Sequence, residues 1–317
     1  MVQPRVAITH ATSLLAEAIL EKLPELGLAP DSIVLLADES LVGSKLAYSQ
    51  TYLTVKDQAD FDYSECSLVL MLEYEQQIVQ KMTNLDTVLL SHSSQLDGDS
   101  VFAANKDSQL DISYTQRVIK LVDAEQACLL GILPALHQRF TITRINTVLM
   151  RSAEARGKAG VEELAGQTIA LLNSKEVKPR LYPLQIAFNL LPEASNTGFN
   201  RELARLIGSD SIECVHQIVD VPVFHGFSAA IQLSFASDVS LEASQSVLKA
   251  IDNVHVKSSA VSQISDCNQS FNCIVSRLEA AGNQSSSIQF WMTVDPLRYG
   301  LSNNYVNVSD ILLKSFL

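Results

Sequence analysis

Cysteine and histidine are the side chains best able to act as nucleophile and acid/base near neutral pH. The chain carries five cysteines and six histidines. Cys66, Cys128, Cys214, Cys267 and Cys273 are odd in number and scattered, with no CxxC pair. That usage predicts reduced thiols in a cytoplasmic protein. The histidines are not spaced as metal ligands, and Cys267 and Cys273 lack partners at zinc-site spacing, so no metal is expected. No GxSxG element or P-loop is present. The remaining cysteines and histidines admit both structural and chemical readings. Cys128, in "LVDAEQACLL", reads either as a small apolar residue on a buried helix or as a nucleophile. His225, in "VPVFHGFS", reads either as a surface or structural histidine or as a residue facing a cleft. If that segment is extended, His225 and Phe227 share a face.

The elements that must position these residues alternate in the first third of the chain. Val6–Ile8 reads as a strand and Ser13–Leu23 as a helix that Thr12 or Ser13 caps. Ser32–Leu36, Tyr52–Val55, Ser67–Leu72 and Thr87–Leu90 read as further strands. Strands joined by crossovers predict a parallel α/β sheet. From Thr141 the texture changes to long alternating strands such as "FTITRINTVLM" and "SAAIQLSFA", with helices near Gly160–Leu172 and Asn200–Ile207. This is the pattern of an α+β domain with a mostly antiparallel sheet. Asn303–Phe316 is helical again.

Composition bounds the function. Hydrophobic residues at 47% and charged residues at 18% describe an ordinary globular chain. A formal net charge of -12 excludes nucleic acid and anionic membrane as expected partners. No apolar run approaches the ~18 residues of a membrane span. The start "MVQPRVAI" lacks the features of a signal peptide.

Several ordered segments then carry a resemblance. "GKAGVEELAGQT" (Gly157–Thr168) follows a long strand, and "AFNLLP" (Ala187–Pro192), "GFNRELAR" (Gly198–Arg205), "VPVFHGFS" (Val221–Ser228) and "DPLRYGLSNNYV" (Asp295–Val306) come after it. With "VAITHATSLLAEAIL" at the start, they make the chain similar to the aspartate-semialdehyde dehydrogenase family, most of all to its catalytically degenerate Usg-type paralogues. The resemblance implies a Rossmann-like NAD(P)-binding-type domain over 1–123 and 297–317. It implies an α+β dimerisation and catalytic-type domain over 124–296. The family activity is NADP-dependent and phosphorylating: a cysteine thiolate attacks the aldehyde, a histidine moves the proton, and arginines hold the carboxylate and phosphate.

Position by position, the resemblance withholds that chemistry. The nucleophile falls on Ala124, and Cys128 lies about 6 Å further along the helix. Attack geometry does not tolerate such a displacement. The acid/base falls on Phe227, with His225 as its displaced candidate, and Arg151 falls near the active-site glutamine. The arginines of the substrate site fall on Asp97 and Asp220, in one cleft, where a carboxylate repels an anion. Glu202 and Arg205 keep the charge of that site.

The phosphate-turn glycines fall on His10, Ser13 and Ala16. Asp38 follows the second strand and disfavours NADP, though it suits a ribose diol as in NAD-preferring folds. Asn304 takes a further cofactor position, and Glu73-Tyr74 replace a small turn. The expected function is a pseudoenzyme: a homodimer with a binding or scaffold role for an unknown protein or small-molecule ligand, and no cofactor. One alternative is an NAD(P)-dependent semialdehyde dehydrogenase using Cys128 and His225. Another is a small-molecule binder using Arg151, Glu154, Arg156, Glu202 and Arg205.

Overall fold

A computed structural model describes residues 4–316 apart from 111, 114, 195–196, 258–259 and 283–284. The chain separates into two compact units, 1–127 with 300–317, and 128–299. Both crossings fall inside helical segments, Ala124–Leu130 and Pro296–Ser302.

In the first unit, β1 (Val6–Ile8) leads through a turn into α1 (Leu14–Lys22). There follow β2 (Ile33–Ala37), the pair β3 (Lys45–Tyr48) and β4 (Thr51–Asp57), β5 (Leu68–Leu70), α2 (Gln76–Met82), β6 (Val88–Ser91) and β7 (Val118–Lys120). The sheet order is β3-β4-β2-β1-β5-β6-β7. Every pairing is parallel except the β3–β4 hairpin. Strands β1, β2, β5 and β6 are buried along their whole length. This follows from their continuous apolar runs, as in parallel sheets covered on both faces. Edge strand β3 was not legible in the sequence because "KLAY" is mostly exposed and lacks such a run.

The chain continues through α3 (Ala124–Leu130) and α4 (Leu133–Phe140) into β8 (Ile142–Arg151). Next come α5 (Gly157–Leu172), the short β9 (Leu191–Pro192), α6 (Thr197–Ile207), β10 (Glu213–Asp220) and β11 (Phe227–Phe235). The unit closes with α7 (Leu241–Lys249), β12 (Val254–Lys257), β13 (Cys273–Ala280) and β14 (Ser287–Val294). The sheet order is β12-β13-β14-β11-β8-β10-β9, with antiparallel pairings except β12–β13 and β8–β10. Alternation decides the faces: Ile145, Thr147 and Leu149 of β8 and Ala229, Ile231 and Leu233 of β11 are buried.

Finally α8 (Asn303–Phe316) returns to the first unit. Its tie is polar. Asn304 accepts from the Ala103 N–H at 2.9 Å and donates to the Val101 carbonyl at 3.2 Å, and Asn307 donates to the Ala103 carbonyl at 3.0 Å. The Tyr305 hydroxyl lies 2.9 Å from His92 Nδ1.

The motif in α5 has a structural job. Glu163 accepts from the backbone N–H groups of Arg180 (2.9 Å) and Leu181 (2.7 Å). Gln167 donates to Glu163 at 2.8 Å, and its carbonyl accepts from Ile186 (2.9 Å) and Ala187 (3.2 Å). Burial works to raise the Glu163 pKa, but these donors outweigh it and hold the carboxyl below its ordinary value. The pair pins the loop that enters "AFNLLP". Gln167→Ala strands two buried backbone donors and is expected to cost about 2 kcal/mol. Urea unfolding of the variant against wild type measures it.

Candidate functional site

The turn after β1 enters α1 without a glycine. The Ser13 N–H closes it on the His10 carbonyl at 3.0 Å. His10 adopts φ 49, the left-handed conformation a glycine there would supply; histidine is among the residues that enter this region most readily. Its imidazole lies 3.6 Å from Glu73 (Nε2) and 3.5 Å from Glu75 (Nδ1). Gln58 donates to Glu75 from the other side at 2.5 Å. Ser13 caps α1, its hydroxyl accepting from the Ala16 N–H at 3.2 Å. One of the donors that a helix start offers an anion is thereby used. Ala16 is fully buried.

The other cofactor-type and anion-type positions of the first unit are accounted for as follows. Asp38 is exposed just beyond β2. Both ends of the Asn304 amide are used by the backbone at 101 and 103. Asp97 is exposed on the loop after β6. It belongs to the first unit and Asp220 to the second.

Ala124 opens α3, where the Asp123 carboxylate accepts from the Gln126 N–H at 2.7 Å. Cys128, one turn on, has no exposed surface. Burial pushes Cys66, Cys214 and Cys267 up to about 11, away from thiolate. Among the described residues, no three His, Cys, Asp or Glu side chains are grouped to hold a metal ion.

Phe227 begins β11 and is buried. The shared face expected for His225 and Phe227 does not form, because the strand starts only at Phe227 and Gly226 intervenes at φ +90. A Cβ on Gly226 would meet the Ile264 side chain at 2.4 Å, so any other residue there must displace Ile264 and take a strained backbone. The His225 side chain is 39% exposed, with Nδ1 3.6 Å from Glu154. Glu154 is buried and accepts from the Gly226 N–H at 2.9 Å. Burial raises its pKa, the Gly226 bond works against that, and neighbouring Asp295 adds to the rise.

The densest charge cluster lies at the ends of β8 and β10. Asp220 is buried, 3% exposed. It accepts from Arg151 Nε at 2.8 Å through one oxygen and from Arg156 Nη2 at 2.9 Å through the other. Glu193 accepts from both guanidiniums, Arg151 and, at 3.2 Å, Arg156. Arg156 stacks over Tyr182 at 4.6 Å. Asp220 is thus no lone repelling charge, and two of the five proposed ligand contacts, Arg151 and Arg156, meet here. Glu202 and Arg205 lie on α6 and carry interactions of their own. Glu193 was not anticipated. It follows β9, which pairs antiparallel with β10 (Leu191↔Asp220), and a two-residue strand leaves no periodic signal.

Comparison with known proteins agrees with this architecture. Residues 133–299 match the semialdehyde dehydrogenase dimerisation domain. Over 334 residues the chain is 25% identical to aspartate-semialdehyde dehydrogenase 2 of Vibrio cholerae, covering 99% of each chain. It is also 25% identical, over the full length of both, to the USG-1 protein homolog of Pseudomonas aeruginosa. The crystal structure of aspartate semialdehyde dehydrogenase II from Vibrio cholerae superposes with a TM-score of 0.88 at 24% identity, covering 99% of this chain and 100% of that one.

Proposed function

The chain belongs to the aspartate-semialdehyde dehydrogenase family, and we propose that it is a member that has kept the fold and given up the dehydrogenase reaction, serving as a dimeric binding or scaffold protein. One observation carries the reading: each position that would do the chemistry holds a side chain unable to do it. Ala124 has no nucleophilic atom. Phe227 has no proton to give and is buried in the sheet. Cys128 has no exposed surface, and His225 lies ahead of the strand with its imidazole beside Glu154.

The turn after β1 suits a dinucleotide poorly. Glu73 and Glu75 bring two carboxylates to the imidazole of His10, beside the start of α1. A pyrophosphate there would meet like charge and an added side chain. Asp38 disfavours the 2'-phosphate of NADP in the same way.

Turnover tests this directly. With aspartate semialdehyde, phosphate and either NADP or NAD, no reduction of the nucleotide above background is expected. Turnover that disappears in Cys128→Ser would overturn the proposal.

The dimer is inferred from surface composition in the second unit. Ile169, Leu172, Leu184, Phe188 and Leu190 are each more than 60% exposed. This number of large, exposed apolar side chains within 169–190 fits an interaction surface. The outer face of the sheet adds a hollow of about 800 Å³ that includes Val215, Trp291 and Val261 in its lining. Light scattering is expected to give twice the chain mass of 34.7 kDa. A monomer across the micromolar range would contradict it.

A further inference from the structure

We propose that Arg151 and Arg156 form a binding fork for a small carboxylate, and that Glu193 occupies this fork from within the chain as a displaceable stand-in. The two carboxylates on the fork are not equivalent. Asp220 is the inner one, with its side chain 4% exposed, on a strand paired on both sides by β8 and β9. It splits its two oxygens between the two guanidiniums and fixes how they converge. Glu193 is the outer one, with its side chain 36% exposed. It reaches both arginines through a single oxygen, Oε1. An exposed bridge made this way contributes little and opens readily.

The arginines stay in place when Glu193 leaves. Arg151 is anchored at the end of β8 and by Asp220. Arg156 is held by Asp220 and by the face of Tyr182. Two guanidiniums against one remaining carboxylate leave a single positive charge, which one carboxylate neutralises. The Nε of Arg156 is buried and, among the described residues, makes no hydrogen bond. A planar two-oxygen anion matches the Nε–Nη2 edge of a guanidinium and supplies the bond Glu193 does not make. The fork thus suits an acetate-like group, free or at the end of a larger molecule. It lies wholly within the second unit and does not depend on the state of the dinucleotide turn or the nucleophile.

Calorimetric titration with acetate and succinate, against sodium chloride at matched ionic strength, tests the fork in the full-length protein. Glu193→Gln is expected to bind either carboxylate at least tenfold more tightly than wild type. Arg156→Gln in the Glu193→Gln background is expected to abolish binding. Arg156→Lys in that background keeps the charge without the fork, guards against misfolding as the cause, and is expected to weaken binding at least tenfold. The proposal is overturned if Glu193→Gln gives no heat beyond chloride, if Arg156→Lys binds as tightly as arginine, or if inorganic phosphate outcompetes both carboxylates. Each result reads independently of dehydrogenase activity, which the turnover assay decides.

Discussion

A carboxylate as deeply buried as Asp220 needs positive partners, and much of the second unit's functional end is arranged around that need. Removing one partner of such a buried pair typically costs about 3–5 kcal/mol, because a charge is left without water or counter-ion. Here the partners come from two places, Arg151 at the end of β8 and Arg156 in the short helical turn that follows. The residues between and around them are then constrained. The Val221 N–H bonds the Arg151 carbonyl at 2.9 Å, and the Ala153 and Glu154 N–H groups bond the Val223 and Phe224 carbonyls at 2.8 and 3.0 Å. Glu154 takes the Gly226 N–H, which sets Phe227 at the head of β11. Asp220 and the backbone bonds around it thus fix the inner part of the region, while Glu193 lies at its exposed rim.

The same division runs through the motifs that tie the chain to its relatives. Several of them hold backbone in place: Glu163 and Gln167 pin the loop before "AFNLLP", and Asn304 fixes the backbone at 101 and 103 within the first unit. On the function proposed above, Ala124, Phe227, His10 and Ser13 stand where a reacting atom or a phosphate would be touched. The His10 turn makes the distinction at a single residue. Its left-handed backbone carries β1 into α1, while the imidazole and its two glutamates take the space a glycine would leave open.

The fold was legible because its signals are local and periodic. The buried parallel strands stand out as apolar runs, and β8, β11 and β14 alternate. Elements without such a signal went unread: the exposed β3, the three-residue β7, the half-exposed β12 and the bulged β13. The site was legible as identities and not as contacts. Asp220 read as an isolated repulsive charge because its partners are set by strand pairing, which brings Arg151, Arg156 and Glu193 together from distant positions. His225 failed for a related reason. Two-residue spacing implies a shared face only inside a strand, and the positive φ of Gly226 ends the strand between it and Phe227.

If His10 and its two glutamates close the turn after β1 to a dinucleotide, neither NADP nor NAD binds. Calorimetric titration of the wild-type protein with NADP and then NAD measures this most directly. No saturable heat is expected with either nucleotide up to millimolar concentration. A micromolar Kd for either one, weakened by substitutions at His10 or Ser13, would contradict it.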